Sequence, residues 1–591
     1  MMSVQSQIDR RLYSDNIPRL EGRSKNFYLD DPNIQYLMRR YLPERMQEWA
    51  HRELTQFGER VAGPIDERAA YTDREGKPVL KKYNRLGEDI SEIWKNEGYL
   101  QTVREVYGKG IVSYLYHAPK ELGEKVPYLY SYLMGYLLSE SEPGFYCPVT
   151  LTMSCAYLVD RYGDPELKQR YLPGLTTTDG EKVYEGATWL TERQGGSDVG
   201  ANRTVARYDE QAGVYRLTGE KFFASNAGAM VATVLARVSD RPGTKGLGLF
   251  LVPWIKPNGE RNRIYVRRLK EKLGVNAVPS AEVILEEAEG YLIGDPEKGF
   301  KYMAEALNIS RICNAVASVG ILRRAFAEAL YYTTHRQAFG QPVIQYSMVK
   351  EMLIDMLVDL EVTTGAIFQM IDYFDQVVTF QKATEKERVM ARLLIPLLKY
   401  RAGEVAVKGC HTSIELHGGN GYIEEYVTPR LLRDAQVTTV WEGTSNILAL
   451  DLLRVIQKKR GHEVFFQVVQ EELEFLSHPA SQPFKPVIRN AMADIQTVLA
   501  KLPSFDYDRL TYKLKPLANL MIDVFLLLQI LKEAEHQAKE KSNLRKFVVA
   551  ELFKAKAFDP PREHKLFTER HLDLDYFEEL VHYGKVNRLD Q

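Results

Sequence analysis

The feature that most constrains the fold is a change of sequence texture in the middle of the chain. Near Tyr184, helix-compatible sequence gives way to short runs rich in β-branched and aromatic residues, separated by turn residues. The runs recur at intervals of roughly 8 to 20 residues, which is typical of an antiparallel barrel or sandwich and not of a βαβ series. They are RTVARYD, GVYRLTGEKFFAS, VATVLARV, LGLFLVPW, RIYVRRL and AEVILEEA. We therefore predict a middle β-domain over residues 184–295.

Helical sequence precedes this region, and we predict an α-helical domain over residues 1–183. Within it, RYGDPELKQRYLPGL predicts a short helix that lies between Gly163 and a stop at Pro173. Proline and glycine mark joints between helices, as in PGFYCP at 143–148. We expect few strands in this part of the chain.

Helical sequence resumes after the β-domain, and we predict a four-helix bundle over residues 296–461. Asp295 followed by Pro296 indicates an N-cap and a first helical residue, and Gly340 with Pro342 indicates the end of that helix. The next helix carries an apolar stripe at i, i+3, i+4 and i+7 that we expect to be core. Its members are Met348, Val349, Met352, Leu353, Met356, Leu357 and Leu360.

Two further signals delimit the bundle helices. Thr384 and Glu387 have the spacing of a capping box, and Gly461 is expected to end the helix SNILALDLLRVIQKKR. Residues 462–591 then form a helical C-terminal extension with prolines at its joints. These prolines are Pro479, Pro483, Pro503, Pro560 and Pro561. The predicted fold class is therefore mainly α with a central β-domain.

The composition excludes several classes of function. Lys and Arg total 78 against 79 for Asp and Glu, so no global positive field attracts nucleic acid or an anionic membrane. The most apolar stretch, from Leu520 to Leu531, is interrupted by Asp523 and Gln529 and is shorter than the ~20 residues of a membrane span. We expect it to be a buried helix and predict no transmembrane segment.

The cysteines and the N-terminus bear on the cellular compartment. Cys147, Cys155, Cys313 and Cys410 include no Cys-x-x-Cys pair, so we expect buried thiols in a reducing compartment and no metal site. The N-terminal segment MMSVQSQIDRRLYSDN lacks an apolar region and carries early acidic residues, which disfavours targeting to the secretory pathway or the mitochondrion. We predict a cytoplasmic protein.

Three distant segments contain the residues best suited to chemistry. In WLTERQGGSDVG (189–200), adjacent glycines let the backbone approach a ligand, although an ordinary β-turn explains them equally well. In YYTTHRQAFGQPV (331–343), Arg336 suits either a phosphate contact or a solvated surface position. The third segment (415–447) contains GGNGY without a preceding strand, so it is not a dinucleotide fingerprint, and it continues to an acidic residue beside a tryptophan.

In order and spacing, the chain from roughly residue 100 to 460 resembles the acyl-CoA dehydrogenases. The matching motifs are YGDPELKQRYLPGL, LTERQGGSD, GEKFFASN, KLGVNAVPSAEVILEEA, HRQAFGQP, ELHGGNGY, RDA and WEGTSNI. The resemblance implies the acyl-CoA dehydrogenase fold, with a helical N-domain, an antiparallel β-barrel or sandwich and a four-helix bundle. It also implies FAD bound among these parts and partly held by a neighbouring subunit of a homodimer or homotetramer.

The resemblance assigns roles around FAD. Thr191 matches a residue that bonds near flavin N5 and O4, Phe223 an aromatic stacked on the isoalloxazine, and Ser225 a hydroxyl beside it. Arg336 and Phe339 match residues that reach the FAD of the partner subunit. The full set of implied cofactor residues comprises these five together with Leu190, Gly196, Ser197, Glu415, Gly418, Gly419, Trp441, Thr444 and Asn446.

In most branches of the family the catalytic base is the Glu of the EGT motif, here Glu442. The reaction needs a carboxylate with a raised pKa in a dry pocket, and burial beside Trp441 would raise the pKa in this way. Other branches place the base where this chain has Ser310, which cannot serve; the following Arg311 matches a CoA contact, as does Ser197. The competing interpretation of Glu442 is a helix-start carboxylate that only favours the helix dipole.

Some features depart from the ordinary fatty-acid enzymes of the family and resemble the branch of the alkylation-response flavoprotein AidB. They are the Arg193-Gln194 pair, Glu415 and Trp441. That branch also has a helical extension, and some members bind DNA and are poor dehydrogenases. The alternative hypothesis is therefore a flavin-containing DNA-binding or regulatory protein. Only 541–558 and PREHKLFTER (561–570) are locally basic, so we disfavour DNA as a partner.

The resemblance also implies the partners. We expect an acyl-CoA substrate and a role in fatty acid β-oxidation. By analogy with the family, the expected electron acceptor is an electron-transfer flavoprotein.

Overall fold

The computed structural model describes residues 24–559 and 571–589. The N-terminal segment used for the cytoplasmic prediction, the joint at Pro560–Pro561 and the basic segment 561–570 lie outside the described residues. By internal contacts the chain divides into two compact units. The sheet unit comprises Leu42–Ala317 and Val440–Gly443, and the bundle unit comprises the described parts of Met1–Tyr41, Ser318–Thr439 and Thr444–Gln591. The four domain boundaries given above stay a prediction.

Helices make up most of the described chain. They are α1 (Pro32–Tyr41), α2 (Glu44–Arg60), α3 (Asp66–Arg74), α4 (Glu97–Gly108), α5 (Tyr128–Ser139), α6 (Pro143–Tyr162), α7 (Pro165–Leu175), α8 (Gly299–His335), α9 (Ser347–Val378), α10 (Glu385–His417), α11 (Thr428–Thr438), α12 (Ser445–Lys459), α13 (Gly461–Phe475), α14 (Phe484–Lys501), α15 (Tyr507–Lys541), α16 (Arg545–Phe558), α17 (Leu572–Asp575) and α18 (Phe577–Val581).

The strands form one large sheet and two short hairpins. They are β1 (Val79–Tyr83), β2 (Asp89–Trp94), β3 (Gly186–Trp189), β4 (Val205–Asp209), β5 (Val214–Ser225), β6 (Val231–Arg237), β7 (Leu247–Pro253), β8 (Ile264–Leu269), β9 (Ser280–Leu292), β10 (Gln337–Ala338) and β11 (Gln341–Pro342). All six β-rich runs named above are strands, so the central β-domain is confirmed. The hairpin β1–β2 is an addition to the N-terminal region, where we expected few strands.

The large sheet has the order β3-β6-β4-β5-β9-β7, with β8 on the free side of β9 and an extra β6–β7 pairing that closes the sheet on itself. Most pairings are antiparallel, as predicted, but β3 and β4 both run parallel to β6. Strands β6 and β7 are buried almost throughout, and their side chains fill the core of the sheet unit with those of the other strands. Burial of this apolar surface is the main stabilising term for the barrel.

Three predicted helix stops are wrong because packing outweighs the local signal. PGFYCP is the first part of α6, with Pro143 at its start and Pro148 inside it. Helix α7 continues through Pro173 to Leu175. A proline inside a helix removes one backbone hydrogen bond, and the extensive burial of α6 compensates for that loss. Gly461 is the first residue of α13, because Arg460 takes the left-handed conformation that ends α12.

The start and the end of α8 also differ from the prediction. Asp295 and Pro296 form a turn in which Asp295 Oδ1 accepts from the N–H of Glu297 at 2.9 Å, and the helix begins at Gly299. It ends at His335, before Gly340. The Asp side chain can satisfy a nearby backbone donor in a turn as well as at an N-cap, so the motif does not distinguish the two.

In the bundle unit, α10 packs against α9 and α12, and Ser413 Oγ of α10 donates to the Ala325 carbonyl of α8 at 2.9 Å. Helix α15 of the extension packs on α9, α10 and α12, and α16 packs on α9. The capping box is confirmed: Thr384 Oγ1 accepts from the Glu387 N–H and Glu387 Oε2 accepts from the Thr384 N–H. The C-terminal members of the predicted stripe on α9 are buried. Met348, in contrast, is 77% exposed, because it lies in the first turn of α9 before the helix enters the core.

One described helix, α15, has the length and composition of a membrane span, but 72% of its most apolar window is buried inside the protein. A core helix passes the same test, so this resemblance to a membrane span is weak. The apolar stretch from Leu520 to Leu531 is the buried centre of α15, as predicted.

Candidate active site

A buried ion pair fixes the turn that follows β3. The Glu192 carboxylate accepts hydrogen bonds from Lys221 Nζ at 2.9 Å, from Thr204 Oγ1 at 2.5 Å and from the Arg203 N–H at 2.6 Å. Burial alone would raise the pKa of Glu192, but the Lys221 charge and these hydrogen bonds outweigh it and lower the pKa to about 2. The ionised pair therefore ties the LTE segment to the sheet.

This tie brings Thr191 against β5. The Thr191 carbonyl accepts from the Phe222 N–H at 2.9 Å, and a Cβ at Gly196 would lie 2.5 Å from Thr191 Oγ1. Glu192 and Gly195 exchange backbone hydrogen bonds across the tight turn that the sequence allowed. Only glycine at 196 lets this turn close over the threonine hydroxyl.

Strand β5 carries a β-bulge at the same place. Lys221 pairs with Val283 and Ala224 with Ala281, so Phe222 and Phe223 both lie opposite Glu282. A bulge of this kind redirects a side chain, and Phe223 is 54% exposed. The structure thus brings together Thr191 and Phe223, with Ser225 at the end of the same strand; Leu190 is half-buried and Ser197 is exposed.

Glu442 has a strained backbone. Its φ is 58°, in the left-handed region that few residues other than glycine adopt, and Gly443 follows at 110°. Arg311 Nε donates to the Glu442 carbonyl at 3.2 Å, which fixes this loop to α8 within the sheet unit. Trp441 and Glu442 are half-buried. Strain of this kind is common at functional sites.

The negative charge of Glu442 lies near two thiols. Burial raises the pKa of Cys147 to about 12, the Lys272 charge opposes this, and the negative charge of Glu442 adds to it. Burial likewise raises the pKa of Cys313 to about 11, and Glu442 again adds to the effect. Cys313 is buried and Cys147 half-buried, so the carboxylate acts on the interior of the sheet unit. The expected rise in the pKa of Glu442 itself stays a prediction.

Lys272, the cation that acts on Cys147, is fixed beside the strand that pairs with β5. Its Nζ donates to the Val275 carbonyl at 2.9 Å, to the Val278 carbonyl at 2.6 Å and to Ser280 Oγ at 3.3 Å. Ser280 Oγ lies 3.5 Å from Ser225 Oγ. Polar contacts therefore connect Lys272 through Ser280 to the hydroxyl of Ser225.

The alternative base position is filled by a buried serine. Ser310 Oγ lies 3.3 Å from Ser154 Oγ, and the side chain is 5% exposed. The next residue, Arg311, is half-buried at the Glu442 loop. Sequence and structure agree that no carboxylate competes with Glu442 at this position.

The remaining predicted cofactor residues lie in the bundle unit. Phe339 is 97% exposed and has a φ of 52°, and Arg336 lies at the end of α8. A Cβ at Gly418 or Gly419 would meet no atom within 4 Å, so the backbone there is open to a ligand. Glu415, Thr444 and Asn446 are also exposed.

Sequence reasoning missed the charged residues that hold these side chains in place. Lys221 and Glu282 are charged residues inside strand runs, and both are buried in ion pairs. A charge at an inward position of an alternating strand is the signal that could have identified them. Within the described residues, no group of three or more His, Cys, Asp or Glu side chains could hold a metal ion.

Comparison with known proteins decides the family. Residues 187–288 match the acyl-CoA dehydrogenase middle domain and residues 297–457 its C-terminal domain. Acyl-CoA dehydrogenase family member 11 of Caenorhabditis elegans is 32% identical over 489 residues, which are 80% of this chain and 78% of that protein. The chain belongs to the acyl-CoA dehydrogenase family. The predicted fold and the predicted class of enzyme, an oxidoreductase, are confirmed.

The similarity to the AidB branch of the acyl-CoA dehydrogenase family is also confirmed. Residues 18–182 match the N-terminal domain of the adaptive response protein AidB. The putative acyl-CoA dehydrogenase AidB of Escherichia coli is 34% identical over 352 residues, 57% of this chain and 63% of that protein. The solved structure of C. elegans ACDH-11 in complex with C11-CoA superposes on this chain with a TM-score of 0.84 at 28% sequence identity. The superposition covers 98% of this chain and 99% of the ACDH-11 chain.

Proposed function

We propose that the protein is an FAD-dependent acyl-CoA dehydrogenase that converts an acyl-CoA thioester to the trans-2-enoyl-CoA, with Glu442 as the base. One observation carries this proposal. Glu442 lies in the sheet unit on a strained loop held by Arg311, and its charge acts on the interior thiols Cys147 and Cys313. A helix-start carboxylate that only serves a helix dipole would not need this setting.

The described residues fit FAD, the cofactor of the family. Phe223 offers an exposed ring for stacking, and Thr191 and Ser225 offer short polar groups at the same strand. Thr444 is the N-cap of α12, where backbone N–H groups suit a pyrophosphate. The open backbone at Gly418 and Gly419 suits the adenosine half. When bound, FAD accepts the hydride that leaves the β-carbon.

The chain's own residues perform the proton chemistry. Glu442 removes the α-proton, and Arg311 holds its main chain so that the carboxylate keeps one direction. Cys147 and Cys313 stay protonated at neutral pH because burial raises the pKa of both thiols. Glu442 is therefore the base among these three groups.

The substrate class rests on the relatives. The C. elegans ACDH-11 structure holds C11-CoA, and this supports an acyl-CoA thioester as the substrate here. Arg311 and Ser197 are the residues we assign to CoA. The exposed Phe339 supports assembly into a homodimer or homotetramer. An electron-transfer flavoprotein completes the proposal by analogy with the family, and the four scattered cysteines support a cytoplasmic location.

The test is an anaerobic titration of the yellow, FAD-bound protein with acyl-CoAs of increasing chain length. Bleaching of the flavin absorbance is expected with at least one of them, and Glu442→Gln should abolish it while FAD stays bound. Failure of every chain length to bleach bound flavin would overturn the proposal.

Glu305→Gln is the matched control for this experiment. Glu305 is another half-buried carboxylate of the sheet unit, on the same helix as Arg311, and it accepts from Tyr157 Oη at 2.9 Å and from Tyr162 Oη at 2.6 Å. Bleaching should survive this substitution.

The match of residues 18–182 to AidB keeps a second candidate, a flavin-containing DNA-binding or regulatory protein. The structure of 541–558 speaks against it. Arg545 and Lys546 are buried in ion pairs with Glu361 and Glu533, and Lys556 contacts Asp355 and Asp359. These cations neutralise carboxylates of the protein and not phosphates. Binding of duplex DNA that weakens steeply with salt would favour this candidate over the first.

A further inference from the structure

A lysine lies against the two aromatic rings of the bulge. Lys270 Nζ is 3.3 Å from the centroid of the Phe222 ring and 4.7 Å from that of Phe223. The two rings meet edge to face, with centroids 5.4 Å apart and planes at 90°. A cation at these distances is attracted to the face of an aromatic ring.

The ammonium group is itself fixed. It donates to Glu282 Oε1 at 2.7 Å, and the Lys270 and Glu282 side chains are only 10% and 5% exposed. The hydrogen bond from Lys270 is the largest cause that lowers the pKa of Glu282 to about 2. The Lys270 N–H also donates to the Ser280 carbonyl at 2.7 Å, so both ends of the lysine are tied to β9.

We infer that Lys270 is a positioning residue for the cofactor: it clamps Phe222 and Phe223 so that the exposed ring of Phe223 keeps the orientation in which it stacks on the flavin. The bulge places two consecutive aromatic residues opposite the single residue Glu282, and Lys270 bridges that residue to both rings. Without the clamp, the half-exposed Phe223 side chain could turn to other rotamers. The inference rests on the proposed function only in requiring FAD.

A neighbouring cation, Arg268, makes the role of Lys270 testable. Arg268 contacts the same carboxylate, with Nη2 2.8 Å from Glu282 Oε1, and it is 60% exposed. Among the described cation–ring contacts, Arg268 has none with Phe222 or Phe223. Removing Arg268 therefore weakens the ion pairs of Glu282 and leaves the aromatic rings untouched. Removing Lys270 weakens the same ion pairs and also takes away the cation that contacts both rings.

The experiment is a double-mutant cycle on FAD affinity. Deflavinated wild type, Lys270→Met, Phe223→Leu and the double variant are titrated with FAD, and the flavin absorbance gives the Kd. Lys270→Met should weaken FAD binding about ten-fold. Lys270→Arg should bind FAD with nearly the wild-type affinity, because a guanidinium also stacks on aromatic rings. Arg268→Met should leave the affinity unchanged.

The decisive comparison is made in the Phe223→Leu background. There, Lys270→Met should cause no further loss of affinity, because the ring that stacks on the flavin is already absent. An equal loss in both backgrounds would overturn the inference and reduce Lys270 to a stabilising ion pair. FAD binding without bleaching by any acyl-CoA would overturn the proposed function and leave the inference standing, whereas a wild type that takes up no FAD would overturn both.

Discussion

Glu442 combines a costly backbone conformation with a carboxylate directed at interior thiols. A left-handed conformation at a residue other than glycine costs on the order of 1–3 kcal/mol. The contact from Arg311 to the Glu442 carbonyl and the flexible Gly443 that follows help to maintain it. The side chain is therefore directed by its main chain, which is what a base needs when it must reach one proton.

Cys147 offers a measurement of this direction that does not depend on activity. Because burial and the charge of Glu442 both raise the pKa of Cys147, alkylation by iodoacetamide should be slow at pH 8 and should accelerate as the pH rises towards about 12. Glu442→Gln removes one negative charge, so the thiolate becomes easier to form. Alkylation at pH 8 should then be roughly two- to ten-fold faster, as measured by mass spectrometry of the Cys147 peptide.

Glu305→Gln again serves as control and should leave the rate unchanged. If Glu442→Gln also left the rate unchanged, the carboxylate would not face Cys147, and the placement of the base would be wrong.

At the scale of the element, the turn after β3 is held by a buried ion pair with the sheet as well as by its own glycines. Lys221 is completely buried, and besides Glu192 its ammonium contacts Asn202 Oδ1 at 3.2 Å and the Leu235 carbonyl at 2.9 Å. The position of Thr191 thus depends on residues of three different strands or loops.

Glu192→Gln should lower the free energy of unfolding by about 3–5 kcal/mol, because the buried Lys221 would lose the anion that compensates for its burial. Folding lowers the pKa of Glu192 from 4.5 to about 2, so the wild type loses this stabilisation as the pH falls from about 4.5 to 2, and the variant has none to lose. Urea unfolding at several pH values should show that the difference in free energy of unfolding between wild type and variant becomes smaller as the pH falls through that interval. A difference in free energy of unfolding that did not change with pH would contradict the ion pair between Glu192 and Lys221.

The strands were predictable because period-two alternation is strong and local. The parallel pairing of β3 with β6 was not, because it joins segments about 45 residues apart and leaves no local pattern. The predicted helix ends are wrong where Pro148 and Pro173 lie inside packed helices. The prediction is also wrong where Arg460, and not the expected glycine, takes the left-handed conformation that ends α12. The family motifs located Glu442 and Thr191, but motif matching cannot show the cations that position them.

At the scale of the whole molecule, the C-terminal extension is part of the bundle unit's interior. Arg545 of α16 donates through Nη1 to Glu361 Oε2 of α9 at 3.0 Å, and the two side chains are 2% and 0% exposed. Lys546 reaches Asn33 Oδ1 of α1 at 2.8 Å. The extension, the bundle and the N-terminal helix α1 therefore share one buried polar network.

Arg545→Met should destabilise the protein by about 3–5 kcal/mol, because the buried Glu361 carboxylate loses the arginine that donates to it and keeps only Lys546, at 3.6 Å. Lys541→Met, an exposed change at the end of α15, is the control and should alter the denaturation midpoint little. Adding Glu361→Leu to Arg545→Met should recover part of the loss. No recovery would mean that the two residues do not act as a pair.

The complete burial of Glu361 allows a prediction about related proteins. A related chain that stopped after the bundle would lack Arg545, so an acidic residue that stayed buried at the equivalent position would have no arginine to neutralise it. An acidic residue at this position of a homologue's sequence thus indicates that the homologue also has a C-terminal extension, with an arginine that pairs with the acid.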